Sequence, residues 1–97
     1  MSELRRFSID FKVGSKADQL TIREQSDGLI EVAQDDGDRE CRHAMSLEQL
    51  NALAEELNLG PTLDPFASLS QFAFEGHAKE LVGALHSGNY PATYVWP

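Results

Sequence analysis

The chain has 97 residues, of which 41% are hydrophobic and 25% charged, and its formal net charge is −8. This length supports one domain with its own hydrophobic core and is too short for two ordinary domains, so we predict a single domain over residues 1–97. The negative charge disfavours binding to nucleic acids and anionic membranes, because both depend on an excess of lysine and arginine.

The N-terminal pattern and the cysteine content bear on the cellular compartment. The residues after the two N-terminal arginines alternate between apolar and polar, unlike the continuous apolar run of a signal peptide. No apolar run approaches the ~20 residues that a membrane-spanning helix needs. The single cysteine, Cys41, cannot form an internal disulfide, which is typical of a reducing compartment. We therefore expect a cytoplasmic protein.

Alternation of apolar and polar residues dominates the first half of the chain. It is strict over residues 7–13, which predicts a strand with one buried face. Weaker alternation follows over residues 20–25, 29–33 and 40–45, and turn sequences containing glycine separate these segments. We expect Phe7, Ile9, Phe11, Val13, Ile30 and Val32 to point inward. The pattern predicts a four-stranded antiparallel meander with one dry face.

The second half of the chain predicts helices. Ser46 and Gln49 have the spacing of a capping box, which predicts the start of a helix, and Gly60 is placed to end that helix. Asp64 is placed to cap a second, short helix, and Gly76 to separate it from a last one. The apolar stripes of the first and last helices are Leu47, Leu50, Leu53, Ala54 and Leu57, and Phe74, Ala78, Leu81, Val82 and Leu85. We predict an α+β fold in which two or three helices pack on one face of the sheet, with an extended aromatic C-terminal tail.

Candidate catalytic and metal sites are sparse. Cys41 and His43 would leave the same face of a strand, an arrangement that suits a metal site or a nucleophile–base pair, but a pair buried against a helix has the same pattern. His77 and His86 would lie on opposite sides of one helix, so they cannot share a ligand. The turn over residues 35–38 lacks the ligand spacing of a calcium loop, and no phosphate-binding loop is present. We expect no enzymatic activity, no metal and no cofactor.

Two groups of residues favour a protein partner. Acidic residues lie in or beside two predicted turns, and three aromatic residues alternate in the tail, where an extended chain would place them on one side. We predict that these are partner-binding: Asp27, Asp35, Asp36, Asp38, Glu40, Tyr90, Tyr94 and Trp96. Carboxylates attract a basic surface, and buried Tyr and Trp supply much of the energy of an interface. The favoured function is a small non-enzymatic module that occludes a basic partner protein, as an inhibitor or immunity protein does.

An alternative function accounts for the same sequence. The chain is then a structural or assembly subunit that forms homo-oligomers through a sheet edge or through the aromatic tail. The tail aromatics also admit a purely structural interpretation, in which the tail folds back over the sheet or its edge and closes the core.

Overall fold

The computed structural model of the chain describes residues 3–60 and 62–96. Its strands are β1 (Glu3–Val13), β2 (Lys16–Gln25), β3 (Ile30–Asp35), β4 (Glu40–Met45) and β5 (Thr93–Val95). Its helices are α1 (Leu47–Glu56), α2 (Pro65–Phe72) and α3 (Ala78–Ser87), and a π-helical turn (Ala73–His77) joins α2 to α3. The predicted α+β class, with an antiparallel sheet followed by helices, is confirmed.

The sheet is antiparallel throughout and has the order β1-β2-β3-β4-β5. It therefore has one strand more than the predicted meander. The additional strand comes from the aromatic tail, which returns to pair with β4 and places Tyr94 opposite Cys41. The tail is extended, as predicted, and its strand forms one edge of the sheet while β1 forms the other.

The β1–β2 hairpin shows how the alternating pattern produces a face. Gly14 has φ +66° and is the first of two turn residues, the position that a type II′ hairpin turn reserves for glycine. Ile9 lies opposite Leu20 and Phe7 lies opposite Ile22, and both of these partners on β2 are fully buried. Phe7 and Ile9 are only half-buried, because β1 is an edge strand. The inward placement of Val13 was wrong: it lies at the hairpin turn and is exposed.

The core lies between the helices and one face of the sheet, which we call the inner face. Its largest members are Leu20, Ile22, Ile30, Val32 and Met45 from the sheet, and Leu50, Leu53, Phe66, Leu69, Leu81 and Leu85 from the helices. The predicted burial of Ile30 and Val32 is confirmed. Burying one such side chain contributes about 1.5–3 kcal/mol, so this cluster is the main source of stability.

Both predicted helix starts are confirmed. The Ser46 hydroxyl accepts a hydrogen bond from the backbone N–H of Gln49, and Gln49 Oε1 accepts one from the backbone N–H of Ser46 at 3.0 Å. Asp64 Oδ1 accepts a hydrogen bond from the backbone N–H of Ala67, and proline occupies the first position of α2. These bonds satisfy N–H groups that a helix start otherwise leaves unpaired.

The predicted apolar stripes were wrong at two positions. Leu47 is the first residue of α1 and is exposed. Phe74 is also exposed, since it lies in the π-helical turn, where Gly76 has φ +95° and interrupts the helical periodicity. A 3.6-residue period cannot be extended across such a turn, which changes the direction in which the side chains point.

One ion-pair cluster ties β1 to α2. The Arg5 guanidinium donates to Glu24 at 2.8 Å and to Asp64 at 2.8 Å, and it lies 4.5 Å from the centre of the Phe66 ring. The hydrogen bonds from Arg5 lower the pKa of both carboxyl groups. The residue that caps α2 is thereby held against the edge strand.

Candidate functional site

The β3–β4 turn and β5 meet at one end of the sheet. Between them lies a small cavity of about 140 Å³, lined by Asp35, Gly37, Asp38, Arg39, Glu40, Val95 and Trp96. The register that places Glu40 opposite Val95 brings the acidic turn and the aromatic tail together. We call six residues at this end of the sheet the acidic–aromatic surface: Asp35, Asp36, Asp38, Arg39, Tyr94 and Trp96.

The carboxylates of the β3–β4 turn give it negative charge, and two of them also accept hydrogen bonds from its backbone. Asp36 Oδ1 accepts hydrogen bonds from the backbone N–H groups of Asp38 at 2.9 Å and Arg39 at 3.0 Å, and these bonds lower the pKa of the Asp36 carboxyl. Asp35 Oδ1 accepts from the backbone N–H of Gly37 at 2.8 Å. Asp38 projects outward instead: its side chain is 85% exposed, with Lys16 Nζ at 3.8 Å. Asp38 is therefore the carboxylate best placed to meet a partner.

Arg39 holds the two aromatic rings of the surface. Its guanidinium carbon lies 4.7 Å from the centre of the Tyr94 ring and 5.5 Å from that of Trp96. A cation at such distances is attracted to the negative face of a ring, by about 0.5–1 kcal/mol at an exposed site. The Tyr94 and Trp96 side chains nevertheless remain 46% and 66% exposed. Arg39 was not among the predicted binding residues, although a single arginine within an acidic turn was a visible signal.

Glu40 lies on the opposite side of the sheet from the helices and is engaged within the chain. It accepts hydrogen bonds from Arg42 and from Arg23, the latter at 3.5 Å, and its side chain is only 18% exposed. Arg23 also pairs with Glu31 on the neighbouring strand. Glu40 thus contributes to the charge near the surface, while its carboxylate is committed to this network.

Besides Glu40, two of the residues predicted to bind a partner, Asp27 and Tyr90, lie outside the acidic–aromatic surface. Asp27 is in the β2–β3 turn, where its Oδ1 accepts from the backbone N–H of Leu29 at 3.1 Å. That turn is at the other end of β3, about 20 Å away at ~3.3 Å per residue. Tyr90 packs against the core, where burial raises the pKa of its hydroxyl and nearby Glu56 adds to the shift. Its ring occupies the space that a Cβ at Gly88 would fill.

A second polar cluster lies under the same end of the sheet, on the inner face. Asp18 Oδ2 accepts a 2.8 Å hydrogen bond from Gln34 Nε2, and Gln34 Oε1 lies 3.3 Å from His86 Nε2. The His86 ring meets the edge of the buried His43 ring, with 5.7 Å between centroids. Burial lowers the pKa of His43, and the proximity of His86 adds to this. The pattern offered one signal for this cluster, since Asp18 and Gln34 occupy inward positions of otherwise apolar strands.

This inner cluster opens into a cavity of about 180 Å³ that reaches the acidic–aromatic surface through Asp36, Arg39 and Tyr94. Cys41 and His43 share the inner face, as predicted, and both are buried. Within residues 3–60 and 62–96, no group of three or more His, Cys, Asp or Glu side chains is placed to hold a metal ion. The arrangement provides charge, hydrogen bonds and aromatic faces.

A larger and more open cavity of about 740 Å³ lies at the end of α1, lined by Asn51, Glu55, Asn58, Gly60 and Thr62. Among the described residues of this lining, Glu55 is the one ionisable group. The amide and hydroxyl groups of the lining suit hydration of the surface as well as they suit a ligand.

None of the helices in the described part of the chain combines the length and the apolar character required to cross a membrane. Comparison of the chain with known protein families, with curated proteins and with solved structures finds no match.

Proposed function

We propose that this chain is a small non-enzymatic protein-binding module that holds a basic segment of a partner protein on the acidic–aromatic surface. One observation carries the proposal. The acidic β3–β4 turn and the aromatic β5, about 55 residues apart in sequence, line one cavity, with Trp96 two-thirds exposed beside it. Exposed aromatic rings next to carboxylates provide both components that a basic segment requires.

Charge governs how the partner approaches. The chain carries a net charge of −8, and Asp35, Asp36 and Asp38 concentrate negative charge on one turn. Each exposed ion pair contributes little to affinity, about 0.2–1 kcal/mol, because water and salt screen it. The carboxylates therefore act mainly on the association rate, which falls as the salt concentration rises.

The aromatic rings govern how long the partner stays. Arg39 lies against Tyr94 and Trp96 and so favours one orientation of both rings before binding, which lowers the entropy lost on association. The ring surfaces left exposed accept apolar side chains and the stems of arginine or lysine from the partner. Binding there covers the basic segment, so the module acts by occlusion, in the manner of an inhibitor.

Trp96 is the only tryptophan in the chain, so its fluorescence reports directly on this surface. We would titrate the protein with a synthetic arginine-rich peptide and follow Trp96 emission at low and moderate salt. The wild type should show saturable binding that weakens with salt. Asp38→Lys should weaken binding, whereas Asp27→Lys, which makes the same change in net charge at the other end of β3, should have a much smaller effect.

Calorimetry on Trp96→Ala completes the test without relying on fluorescence. Loss of an aromatic anchor should reduce affinity by about 30-fold or more, since such anchors contribute about 2 kcal/mol or more. Leu63→Ala is the matched control, because Leu63 is also apolar and exposed but lies outside the acidic–aromatic surface. Equal effects of Asp38→Lys and Asp27→Lys, or full affinity in Trp96→Ala, would contradict the proposal.

A further inference from the structure

We propose that two copies of this chain pair edge to edge through β1, in antiparallel orientation, about a two-fold axis at Ser8. This edge contributes no residue to the acidic–aromatic surface, whose aromatic strand β5 is at the opposite edge of the sheet. Among the described strands, β1 pairs with β2 alone, yet it is the longest at 11 residues. Proteins commonly protect an edge by keeping it short, as β5 does with 3 residues, or by placing charged side chains and bulges on it. The register of β1 is irregular between Glu3 and Arg5 and regular from there to Val13, and the charges along this regular part can pair with those of a second copy.

The hairpin geometry identifies which backbone groups face outward. Val13 and Lys16 flank a two-residue turn, so they form a hydrogen-bonded pair, and such pairs alternate with non-hydrogen-bonded pairs along an antiparallel ladder. The N–H and C=O groups of alternate residues of β1 therefore point away from β2. These residues are Arg6, Ser8, Asp10 and Lys12.

Charge and the length of the overlap together select the register among the two-fold pairings. An axis at Ser8 places Arg6, which also binds Glu3 of its own chain at 2.8 Å, opposite Asp10 of the second copy, so two opposite-charge pairs flank the centre. An axis at Ile9 would instead oppose Arg6 and Lys12, and an axis at Asp10 would oppose two copies of Asp10. An axis at Phe11 would also form opposite-charge pairs, between Asp10 and Lys12, but it would pair only residues 9–13, whereas the axis at Ser8 pairs at least residues 5–11. Opposite charges directly across a strand pair stabilise it, and like charges destabilise it.

The inner face supports the same register. With the axis at Ser8, Phe7 lies opposite Ile9 of the second copy, and Ile9 lies opposite Phe7 of that copy. Both side chains are half-buried in the single chain and pack against its core. An aromatic residue beside a β-branched one is a favourable cross-strand pair, and each would cover the exposed part of the other. The product is one continuous ten-stranded sheet with all helices on the same side.

Ser8→Pro tests the backbone pairing. The Ser8 N–H points away from β2, so proline there leaves the β1–β2 ladder intact while removing a donor at the centre of the proposed interface. The matched control is Ser8→Ala, which keeps the N–H but loses the 3.2 Å contact between the Ser8 and Thr21 hydroxyls. Sedimentation equilibrium of the full chain should give a dimer for the wild type and for Ser8→Ala, and a folded monomer for Ser8→Pro.

A charge exchange tests the register. Arg6→Glu and Asp10→Lys should each weaken dimerisation at least tenfold, and the double variant should restore most of it. Within one chain these residues are four positions apart on a strand, about 13 Å, so direct contact between them inside one copy cannot explain such rescue. This experiment also decides the matter if Ser8→Pro fails to fold.

Three results would overturn the proposal. The first is a wild type that stays monomeric at the highest concentration reached. The second is a dimer that persists in folded Ser8→Pro, which would place the contact elsewhere. The third is a double variant that dimerises no better than its single parents, which would exclude the register centred on Ser8.

Discussion

The carboxylate of Asp18 is buried on the inner face of the sheet, where Gln34 donates a hydrogen bond to it. Asp18 is 5% exposed; its Oδ2 accepts from Gln34 Nε2 at 2.8 Å, while its Oδ1 has no hydrogen-bond partner among the described residues. Gln34→Leu removes that donor and leaves the carboxylate buried without it. A hydrogen bond to a charged group contributes about 1.5–3 kcal/mol, and stranding the group adds a desolvation cost. We expect a loss of about 2–4 kcal/mol in the free energy of unfolding.

A double variant distinguishes the cost of an unpaired buried carboxylate from the cost of lost packing around Gln34. Replacing both partners of a buried hydrogen bond with apolar groups of similar size is often close to neutral. Asp18→Leu combined with Gln34→Leu should therefore be more stable than Gln34→Leu alone in urea denaturation with unchanged m-values. His86→Ala controls for the second contact of Gln34 and should cost little, because His86 is exposed. A double variant no more stable than Gln34→Leu would refute this account of Asp18.

The remaining predictions concern the pH profile, the core and a helix cap. Since the pKa of His43 is lowered by burial from its ordinary 6.5, the unfolded chain takes up this proton first. The free energy of unfolding should therefore fall as the pH drops from about 6.5 towards the lowered pKa, and His43→Leu should flatten that part of the profile measured by urea denaturation. Leu81→Ala should cost about 2–5 kcal/mol because Leu81 is fully buried. Phe11→Ala should cost less than the ~3–5 kcal/mol of a fully buried aromatic because Phe11 is half-buried, and a loss within that range in denaturant titration would contradict this. Ser46→Ala should lower stability by about 1 kcal/mol, and Ser46→Asp, which keeps a capping oxygen, should recover most of that loss in thermal unfolding.

Local patterns predicted what local physics determines. The alternation around Phe7 and Ile9 specified a strand and its inner face, because a two-residue period admits one geometry. The capping box at Ser46 specified the start of α1, because its hydrogen bonds lie within four residues. Val13 and Leu47 lie at the ends of their elements, where the period still holds but no neighbouring layer covers the side chain.

The candidate site was harder to predict because distant segments meet there. The acidic turn and the aromatic tail were both predicted to bind a partner, but only the pairing of β5 with β4 brings Trp96 beside Asp38. Asp27 was grouped with them, since a sequence of turns does not reveal which end of the sheet each turn occupies. Arg39 changes the chemistry of the surface from purely acidic to acidic with an internal cation, and that role depends on ring positions that no local pattern encodes.

The two proposals together have a geometric consequence. The acidic–aromatic surface lies at the β5 edge, and the proposed pairing uses β1 at the other edge. A dimer would therefore carry its two binding surfaces at the outer edges of a ten-stranded sheet, with nine inter-strand spacings of about 4.8 Å, or roughly 40 Å, between them across the strands. The two-fold axis also places them at opposite ends of the strands, so their full separation is greater than this. Binding of one surface would raise the effective concentration of the other at a partner that presents two basic segments.

This bivalence is measurable apart from the affinity of a single surface. The arginine-rich peptide should bind the wild type and Ser8→Pro with the same affinity when both are free in solution, because Ser8 is not part of the acidic–aromatic surface. On a surface densely coated with that peptide, the wild type should dissociate at least tenfold more slowly than Ser8→Pro, since both of its sites must release together. Equal dissociation rates on the dense surface, with dimerisation of the wild type established, would mean that the two sites cannot engage simultaneously. The dimer would then serve to protect the β1 edge, and each copy would bind its partner alone.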